Sequence, residues 1–420
     1  MSNPSVSRIR FPQLSLGWRS DSIAKRLLIQ IFNRLQTGSL TIRDGDEVLR
    51  FGVSEPASSE PRAEVVVHDR RAWARILLGG TVASGESYIR GEWSSPDLPQ
   101  VIRLFSANLQ TMSTMQKKRA WYVTLPMKLM HFLNRNTRGG SKRNISAHYD
   151  LGNDFFRLFL DDTMMYSSAL YESRETSLEV AAVAKLDEIC RQLELGPDDH
   201  LLEIGTGWGG MAIHAAQHYG CRVTTTTISQ EQYDYACAKV AELGLEDRIT
   251  LLCKDYRLLE GQYDKLVSIE MIEAVGHEFY AEYFGRCSEL LKPEGKMVIQ
   301  AITMADQRYE QARDSVDFIK RYIFPGGCLP SIAVIGDHLA RDTDLQMVHL
   351  KDITEDYAMT LADWRERFMA ELEQVRDMGF DDNFIRMWDF YLSYCEGGFR
   401  ERIISTVQLA FAKPGYRFKT

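Results

Sequence analysis

The stretch LEIGTGWGG at residues 202–210 decides the fold of this 420-residue chain. A short apolar run ends directly in glycines, which let the backbone turn sharply and lie close against a ligand at the switch point of a wound sheet. Gly205, Gly207 and Gly210 also satisfy the G-x-G-x-x-G pattern of dinucleotide-binding proteins, which is a weak signal when it stands alone. The stretch therefore predicts the first strand of an open α/β sheet, followed by a cofactor-binding loop.

Alternating strands and helices follow this loop at the spacing of βαβ units. The predicted strands are Leu201–Ile204, Arg222–Ile228, Ile249–Cys253, Lys265–Ile269 and Met297–Ile302. The predicted helices between them are Met211–His218, Gln230–Leu243 and Glu278–Leu291. This alternation predicts a parallel sheet covered by helices on both faces. After Thr303 the rhythm fails, and two further helices precede a final strand at Ile403–Ala412, which we expect to form an antiparallel edge.

The residues upstream of the wound sheet predict a smaller α+β domain. Its expected elements are a helix at Ala24–Leu35, a hairpin of Ser39–Ile42 and Val48–Phe51, a strand at Ala63–Val67 and a helix at Arg70–Leu78. Residues 134–143 contain no apolar side chain and two adjacent glycines, which is typical of a linker. We therefore predict an N-terminal domain at 1–133, a linker at 134–143 and a catalytic domain at 144–420.

The composition is that of an ordinary globular protein, 45% hydrophobic and 26% charged. A net charge of −8 argues against a nucleic-acid binder. The seven cysteines form no C-x-x-C pair and no metal-ligand spacing, so we predict no metal site and a reduced, cytoplasmic setting. No apolar run approaches the roughly 20 residues that a membrane-spanning helix needs, and the N-terminus lacks the apolar core of a secretory signal.

Basic residues are concentrated in one stretch of the chain. From Leu98 to Tyr149 there is no acidic residue, while nine lysines and arginines interleave with aromatic and apolar side chains. Such a stretch suits the surface of an anionic bilayer, where each basic residue contributes about 1 kcal/mol. A solvated linker between domains would explain the same pattern. The charge pattern leaves both interpretations open, and the first predicts peripheral contact with the inner face of the membrane.

Two details separate a nicotinamide enzyme from a methyltransferase. A nicotinamide enzyme should carry Asp or Glu about 20 residues after the glycines, to hold the ribose hydroxyls. Here that place is taken by residues 224–229, TTTTIS, which contain no acid, whereas Glu203 lies just ahead of the glycines. An acid in that position is usual in methyltransferases that bind the aminoacyl end of S-adenosylmethionine. The loop thus favours a methyltransferase and leaves a dehydrogenase as the alternative.

Several separate stretches, in the same order, carry a resemblance to a known family. They are Ser146–Phe156 (SAHYDLGNDFF), Met164–Ser168 (MMYSS), Glu203–Gly210, Thr227–Gln232 (TISQEQ), Asp255–Arg257 (DYR), Glu273–Gly276 (EAVG), Tyr322–Pro330 (YIFPGGCLP) and Cys395–Phe399 (CEGGF), with Gly85–Trp93 (GESYIRGEW) upstream. In these motifs the sequence resembles the cyclopropane fatty acid synthases and their mycolic acid relatives. The resemblance implies an α/β fold, with a class I (Rossmann-like) methyltransferase domain and a smaller N-terminal α+β domain.

The resemblance implies a set of residues that contact S-adenosylmethionine. They are Tyr166, Ser167, Glu203, Gly205, Thr206, Gly207, Trp208, Gly209, Thr227, Ile228, Ser229, Gln232, Asp255 and Tyr256, the last two beside the adenine. Thr227–Gln232 matches the family's replacement for the missing second-strand acid. Two of these residues have a purely structural alternative, Tyr166 as a core residue and Ser229 as the N-cap of the next helix.

The resemblance also implies the chemistry. A sulfonium methyl group passes to a cis double bond in a water-free pocket, and aromatic side chains stabilise the carbocation that results. A bound bicarbonate then removes a proton. The family would position this anion through Glu273, Gln300, Tyr357 and the backbone amides of Ser168 and Ile302.

Two positions in this site depart from the family pattern, and a third residue has two candidate roles. Ser168 stands where many members have cysteine, and Gln300 where they have histidine. Gln300 can donate a hydrogen bond to an anion, but it cannot carry positive charge. Cys395 matches a cysteine once regarded as a nucleophile in this family. Because the methyl donor needs no covalent relay, a packed thiol is the favoured role for Cys395.

The sequence therefore predicts an enzyme that transfers a methyl group from S-adenosylmethionine to the cis double bond of a membrane phospholipid acyl chain, forming a cyclopropane fatty acid. Gln300 keeps open an alternative, a fatty acid C-methyltransferase that gives methyl-branched or methylated unsaturated chains, furan precursors included. A remoter alternative is a non-catalytic lipid-binding scaffold, which the retained Glu273 and cofactor loop disfavour. We expect no nucleic-acid partner, and the sequence leaves the oligomeric state open, a homodimer included.

Overall fold

The computed structural model describes residues 18–109 and 151–417. Contacts within the chain divide these residues into two compact units. The first unit contains residues 18–109, 317–319 and 364–403, and the second contains residues 151–316, 320–363 and 404–417. The second unit holds the wound sheet.

The N-terminal part of the first unit is a small sheet with helices. Its elements are α1 (Trp18–Phe32), β1 (Ser39–Asp44), β2 (Glu47–Gly52), β3 (Arg62–Val67), α2 (Arg71–Ile89), β4 (Trp93–Ser94) and α3 (Leu98–Ala107). The strand order is β2-β1-β3-β4, and the β1–β2 pair is the hairpin that the sequence predicts. Helix α2 continues past its predicted end because a kink at Gly80, with φ 58°, lets the chain resume as a helix as far as Ile89.

From residue 153 onwards, helices and strands alternate. The elements are α4 (Asn153–Arg157), α5 (Leu178–Leu193), β5 (His200–Ile204), α6 (Gly210–His214), β6 (Arg222–Thr227), α7 (Gln230–Glu242), β7 (Ile249–Cys253), β8 (Tyr263–Ile269), α8 (Tyr280–Glu289), β9 (Leu291–Met304), α9 (Tyr309–Arg313), α10 (Phe318–Tyr322), α11 (Ile332–Asp342), β10 (Gln346–Asp352), α12 (Thr354–Ala370), α13 (Leu372–Asp377), α14 (Asp382–Arg400) and β11 (Ile404–Ala412). The predicted parallel strands are confirmed as β5 to β9.

The wound sheet has seven strands in the order β10-β11-β9-β8-β5-β6-β7. Strands β5 to β9 pair in parallel, and β11 is antiparallel to both β9 and β10. The expectation that the last strand forms the edge is therefore wrong, since β10 lies outside it. Strand β10 escaped prediction because nearly all of its side chains are exposed, so it lacks the apolar alternation that marks a half-buried strand. From β5 the chain adds β6 and β7 on one side and then β8 and β9 on the other, so the strand order reverses between β5 and β8, which makes this the switch point of the sheet.

Helices cover both faces of the wound sheet. Alternate residues of each strand point to opposite faces, so Leu202 and Leu266 join one core with Tyr283, while Leu201 and Val267 join the other core. These side chains are fully buried. The two cores confirm the predicted architecture, a class I (Rossmann-like) fold with a smaller α+β part.

Residues 364–403 belong to the same unit as the N-terminal elements. The ring of Phe390 on α14 lies 5.8 Å from that of Tyr88, whose hydroxyl donates to Asp389. A side chain at Gly397 would approach Ile102 on α3 to within 2.6 Å, so the two helices are in close contact. The unit boundaries thus differ from the predicted division at residues 134–143, because α14 completes the core of the first unit across a long separation in sequence.

Some predicted features lie outside the described residues. These are the linker at 134–143, the basic residues from 117 to 143 and the start of the first motif at 146–150. Among the helices of residues 18–109 and 151–417, none is long and apolar enough to cross a membrane.

Candidate active site

The glycine loop after β5 forms the wall of a site at the switch point. Gly205, Gly207 and Gly209 all have positive φ, at 103°, 52° and 95°, a region that residues with a Cβ rarely adopt. The amides of Gly205 and Thr206 both donate to the carbonyl oxygen of Thr226 at 3.0 Å, which holds the loop against the end of β6. A Cβ at Gly207 would meet no atom within 4 Å. The loop therefore presents bare backbone to open space at Gly207, as a cofactor loop must.

A buried carboxyl group lies at the start of this loop. Glu203 is only 3% exposed, and it accepts a hydrogen bond from Thr225 Oγ1 at 2.6 Å. Thr225 in turn lies 2.7 Å from Thr206 Oγ1. Burial raises the pKa of Glu203 to about 8, against the opposing effects of Thr225 and the nearby Lys185 cation. A polar, hydrogen-bonding ligand group beside Glu203 would relieve this desolvation.

The aromatic residues near the loop form one cluster. The ring of Phe156 lies 5.0 Å from Trp208 and 5.3 Å from Tyr166. Trp208 also donates from Nε1 to Asn153 Oδ1 at 2.6 Å, and Met164 has a positive φ of 56°. The cluster brings the predicted cofactor contacts Tyr166 and Trp208 together, and the ring contacts agree with a packing role for Tyr166 as well.

The segment after β6 is held by its own side chains. Thr227 Oγ1 donates to Gln232 Oε1 at 2.9 Å, and the amide of Ser229 donates to Thr227 Oγ1 at 3.1 Å. Ser229 is the N-cap of α7, since its hydroxyl accepts from the amide of Gln232. Ile228, between them, is half-buried. The structural alternative for Ser229 is thus realised, and any contact with a cofactor would come in addition to it.

The two residues expected beside the adenine follow β7. Asp255 forms a two-point ion pair with Arg257, with distances of 2.9 and 2.6 Å. The ring of Tyr256 lies edge-on to Tyr283 at 5.6 Å, and burial raises the pKa of the Tyr256 hydroxyl well above its usual value. Arg257, the last residue of the DYR motif, therefore orients Asp255.

A second carboxylate, Glu270, lies at the centre of the site and was missed from the sequence. It follows β8 directly, and its side chain accepts three hydrogen bonds. The donors are the amide of Ser168 at 2.9 Å, Gln300 Nε2 at 2.8 Å and the Tyr357 hydroxyl at 2.8 Å. Burial raises the pKa of Glu270, while these three donors oppose the rise. Its backbone has a positive φ of 49°, an uncommon conformation for a residue other than glycine.

The amide of Gln300 has a fixed orientation. Its Nε2 donates to Glu270 and to the carbonyl oxygen of Ser168, while its Oε1 accepts from Gln408 Nε2 at 3.0 Å. Gln408 accepts in turn from Gln192 at 2.7 Å. Gln300 is fully buried. The nitrogen of Gln300 therefore faces Glu270, and the chain of amides holds it there.

Glu273, which the sequence analysis assigns to the site, lies close to Glu270. One oxygen, Oε1, accepts from the amide of Ile302. The other, Oε2, is buried and has no hydrogen-bond partner within the described part of the chain. Burial and the Glu270 charge raise the pKa of Glu273 to about 8. An unpartnered buried oxygen beside a second carboxylate is costly, which points to a role in binding or proton transfer.

Lys185 is the buried cation of the site, and it was also missed. Its Nζ donates to Ser167 Oγ at 2.9 Å, and its side chain is fully buried. Burial lowers the pKa of Lys185 to about 8, against the attraction of Glu270, Asp161 and Glu203. The signal was present in the sequence, because Lys185 occupies a core-facing position of α5, four residues before the buried Ile189.

The predicted bicarbonate site does not fit this arrangement. Three of its expected ligands, Ser168, Gln300 and Tyr357, donate to Glu270, and the amide of Ile302 donates to Glu273. The groups expected to hold an external anion are therefore engaged by carboxyl groups of the chain itself.

Cys395 belongs to the first unit, whereas the other predicted catalytic residues belong to the second. It lies on α14, and burial raises the pKa of its thiol well above the usual range. A neutral, packed thiol is a poor nucleophile. The packing role thus agrees with its surroundings.

A family model described as mycolic acid cyclopropane synthetase matches residues 137–409 of this chain. The chain belongs to this family. As a member of this family, the protein is an enzyme that uses S-adenosylmethionine as its methyl donor. The alternative of a nicotinamide dehydrogenase is therefore excluded. The bare glycine loop and the buried Glu203 are the features of this chain that fit the cofactor.

Relatives match over nearly the whole length of the chain. Tuberculostearic acid methyltransferase UfaA1 of Mycobacterium tuberculosis (strain ATCC 25618 / H37Rv) is 36% identical, over 98% of this chain and 95% of the relative. Cyclopropane-fatty-acyl-phospholipid synthase of Escherichia coli (strain K12) is 35% identical, over 88% and 93%. The cyclopropane synthase MmaA2 from Mycobacterium tuberculosis has a solved structure that superposes with a TM-score of 0.61, at 30% identity, over 65% of this chain and 98% of that one.

Proposed function

We propose that the protein transfers a methyl group from S-adenosylmethionine to the cis double bond of an unsaturated acyl chain in a membrane phospholipid. The names of its relatives support lipid acyl chains as the substrate class, and the phospholipid is favoured by the synthase of Escherichia coli. When bound, the cofactor supplies an electrophilic methyl group. Glu203 and the glycine loop bind and orient it, and the aromatic cluster of Phe156, Tyr166 and Trp208 excludes water from the site.

The product that we favour keeps a double bond and carries the added methyl carbon. The observation behind this choice is Gln300, which stands where the family has histidine and whose side chain donates to Glu270 and to the Ser168 carbonyl oxygen. The name of one relative, a tuberculostearic acid methyltransferase that is 36% identical over 98% of this chain, supports the same choice. Addition of a methyl cation and loss of one proton leaves an unsaturated chain, so this product needs no reductant.

A cyclopropane fatty acid is the second candidate product. It is supported by the family and by the 35% identity to a cyclopropane-fatty-acyl-phospholipid synthase. Ring closure also releases one proton, so both products demand a base in the site and differ only in where the new bond forms. Glu273, with its unpartnered oxygen, serves either outcome.

The test is product analysis on purified protein with S-adenosylmethionine and vesicles of a cis-monounsaturated phospholipid. We expect released acyl chains with one added carbon. Ring and methylated alkene have the same mass, so the chains are then hydrogenated under mild conditions. Uptake of hydrogen identifies the methylated alkene, whereas a product that resists reduction identifies the ring. Acyl chains without an added carbon would contradict the proposal.

A further inference from the structure

We propose that Glu270 is the base of the reaction, a carboxylate built into the chain in place of a bound external anion. The inference rests on the proposed function. It concerns the proton that the methylated acyl chain must lose, whichever product forms.

The hydrogen bonds around Glu270 define an anion cradle, made by the amide of Ser168, the Gln300 side chain and the Tyr357 hydroxyl. One Glu270 oxygen accepts from Ser168 and Gln300, and the other accepts from Tyr357. All three donors come from different parts of the second unit and converge on one carboxylate. Such a set holds a carboxylate in a single orientation, which is the requirement for a positioned base.

The backbone gives an independent sign that Glu270 is held there for a purpose. Glu270 has a φ of 49°, a region that glycine adopts freely and that costs other residues about 1 kcal/mol or more. The strained residue is stabilised by its own amide, which donates to the Gln300 carbonyl oxygen at 2.7 Å. The chain thus keeps a carboxylate where glycine would be the unstrained residue.

Glu270 also lies beside the cofactor loop. Ser268, at the end of β8, donates to the carbonyl oxygen of Ile204 at 3.0 Å, which ties the ends of β8 and β5 together. Met271, the next residue after Glu270, lies within 3.5 Å of where a Cβ at Gly205 would be. The carboxylate therefore sits at the switch point, where the methyl group of the cofactor and the acyl chain must meet.

Neighbouring charges suit this role. Lys185 supplies a buried positive charge that stabilises the ionised form of Glu270. Glu273 has a buried oxygen without a partner within the described residues, so it can accept a proton or share one with Glu270. The two acids together form a proton-accepting pair.

The step balances without any further reactant. After the methyl group has bonded to one alkene carbon, the adjacent carbon carries the positive charge. A Glu270 oxygen takes a proton from a neighbouring C–H bond, and the electron pair of that bond forms the new carbon–carbon bond, as a ring bond or as a double bond. The carboxylate becomes a carboxylic acid, and the proton later passes to solvent.

The experiment compares wild type with Glu270→Gln and Glu270→Gly. Glycine suits the backbone at this position, so Glu270→Gly removes the carboxylate without strain. We expect both variants to bind S-adenosylmethionine with a Kd within about threefold of wild type, and to lose at least 100-fold in turnover. Glu246→Gln is the matched control, because Glu246 is an exposed carboxylate in a turn, and it should retain wild-type turnover.

The decisive arm uses small anions. Wild type should turn over at the same rate in bicarbonate-free and bicarbonate-containing buffer, whereas formate or bicarbonate should restore Glu270→Gly at least tenfold by entering the emptied cradle. Any one of three results would overturn the assignment. They are a wild-type rate that depends on bicarbonate, near-normal turnover of Glu270→Gln, and a Glu270→Gly rate that neither formate nor bicarbonate increases. If wild type adds no carbon to any unsaturated lipid, the proposed function is wrong. If wild type is active but the variants or the anions behave otherwise than expected, only the role of Glu270 is wrong.

Discussion

At the scale of residues, four ionisable side chains define the site. Three acids, Glu203, Glu270 and Glu273, lie near one lysine, Lys185; Glu203 and Lys185 are buried, whereas Glu270 and Glu273 are half-buried. Burial pushes the pKa of Glu273 and of Lys185 to about 8 from opposite directions, so neutral and charged forms lie close in free energy near physiological pH. Such groups can bind or release a proton at little cost, which suits a site that must accept one.

Replacing Glu273 tests its part in this cluster. Glu273→Gln keeps the size of the side chain and its contact with the Ile302 amide, but removes the proton-accepting oxygen. We expect turnover to fall by at least 100-fold, while the Kd for S-adenosylmethionine, measured by calorimetry, stays close to that of wild type. Near-normal turnover would remove Glu273 from the mechanism.

The raised pKa of Glu273 also predicts how stability depends on pH. Its folded pKa is about 8 and its ordinary value is 4.5, so the folded state binds the proton more tightly. The resulting stabilisation is complete below pH 4.5 and is lost as the pH rises towards 8, at up to about 1.4 kcal/mol per pH unit for one proton. Glu273→Gln should remove this slope.

Thermal melts at several pH values between 5 and 8 check this expectation. The melting temperature of Glu273→Gln should rise relative to wild type as the pH increases, and Glu246→Gln should track wild type throughout. A constant difference between Glu273→Gln and wild type would show that Glu273 has the same pKa in the folded and unfolded chain.

At the scale of elements, the parallel strands were predictable and the carboxyl cluster was not. Strands β5 to β9 contain short runs of apolar or β-branched residues at βαβ spacing, and the glycines after β5 mark the loop. Glu270 gave no such signal, because its importance arises from donors at residues 168, 300 and 357, which only the fold brings together. Strand β10 was not predicted because it is an exposed edge strand. The second part of α2 was not predicted because the helix is kinked at Gly80.

The cap of α7 separates a structural role from a cofactor role. Ser229 accepts a hydrogen bond from the Gln232 amide, so Ser229→Ala should destabilise the fold by about 1 kcal/mol. We expect the Kd for S-adenosylmethionine to change less than twofold, because the segment keeps its Thr227–Gln232 hydrogen bond. A tenfold weaker Kd with an unchanged melting temperature would instead assign Ser229 to cofactor binding.

At the scale of the whole molecule, the predicted domains and the compact units divide the chain differently. Helix α14 belongs to the unit that contains the N-terminal sheet, although it lies nearly 300 residues later in the sequence than α3. Sequence periodicity reports which face of a helix is buried, but not which distant element buries it. The division of a chain into domains by linker composition therefore misses a returning helix of this kind.

The membrane role of the basic stretch stays a prediction at this scale, since residues 117–128 lie outside the described part. Replacing Lys117, Lys118, Arg119 and Lys128 with glutamine should weaken binding to anionic vesicles by at least tenfold at low salt, since each basic residue contributes about 1 kcal/mol. Cofactor affinity should not change. Unaltered binding in a vesicle sedimentation assay would leave the stretch as a solvated linker.

The most direct test of the central claim follows a labelled methyl group from S-adenosylmethionine into intact phospholipid vesicles. Full-length protein is incubated with the CD3-labelled donor, and the acyl chains are released and examined by mass spectrometry. We predict label in unsaturated acyl chains alone, none in vesicles of fully saturated phospholipid, and a labelled product that takes up hydrogen on mild reduction. Label in the head group, or in no lipid at all, would contradict the account.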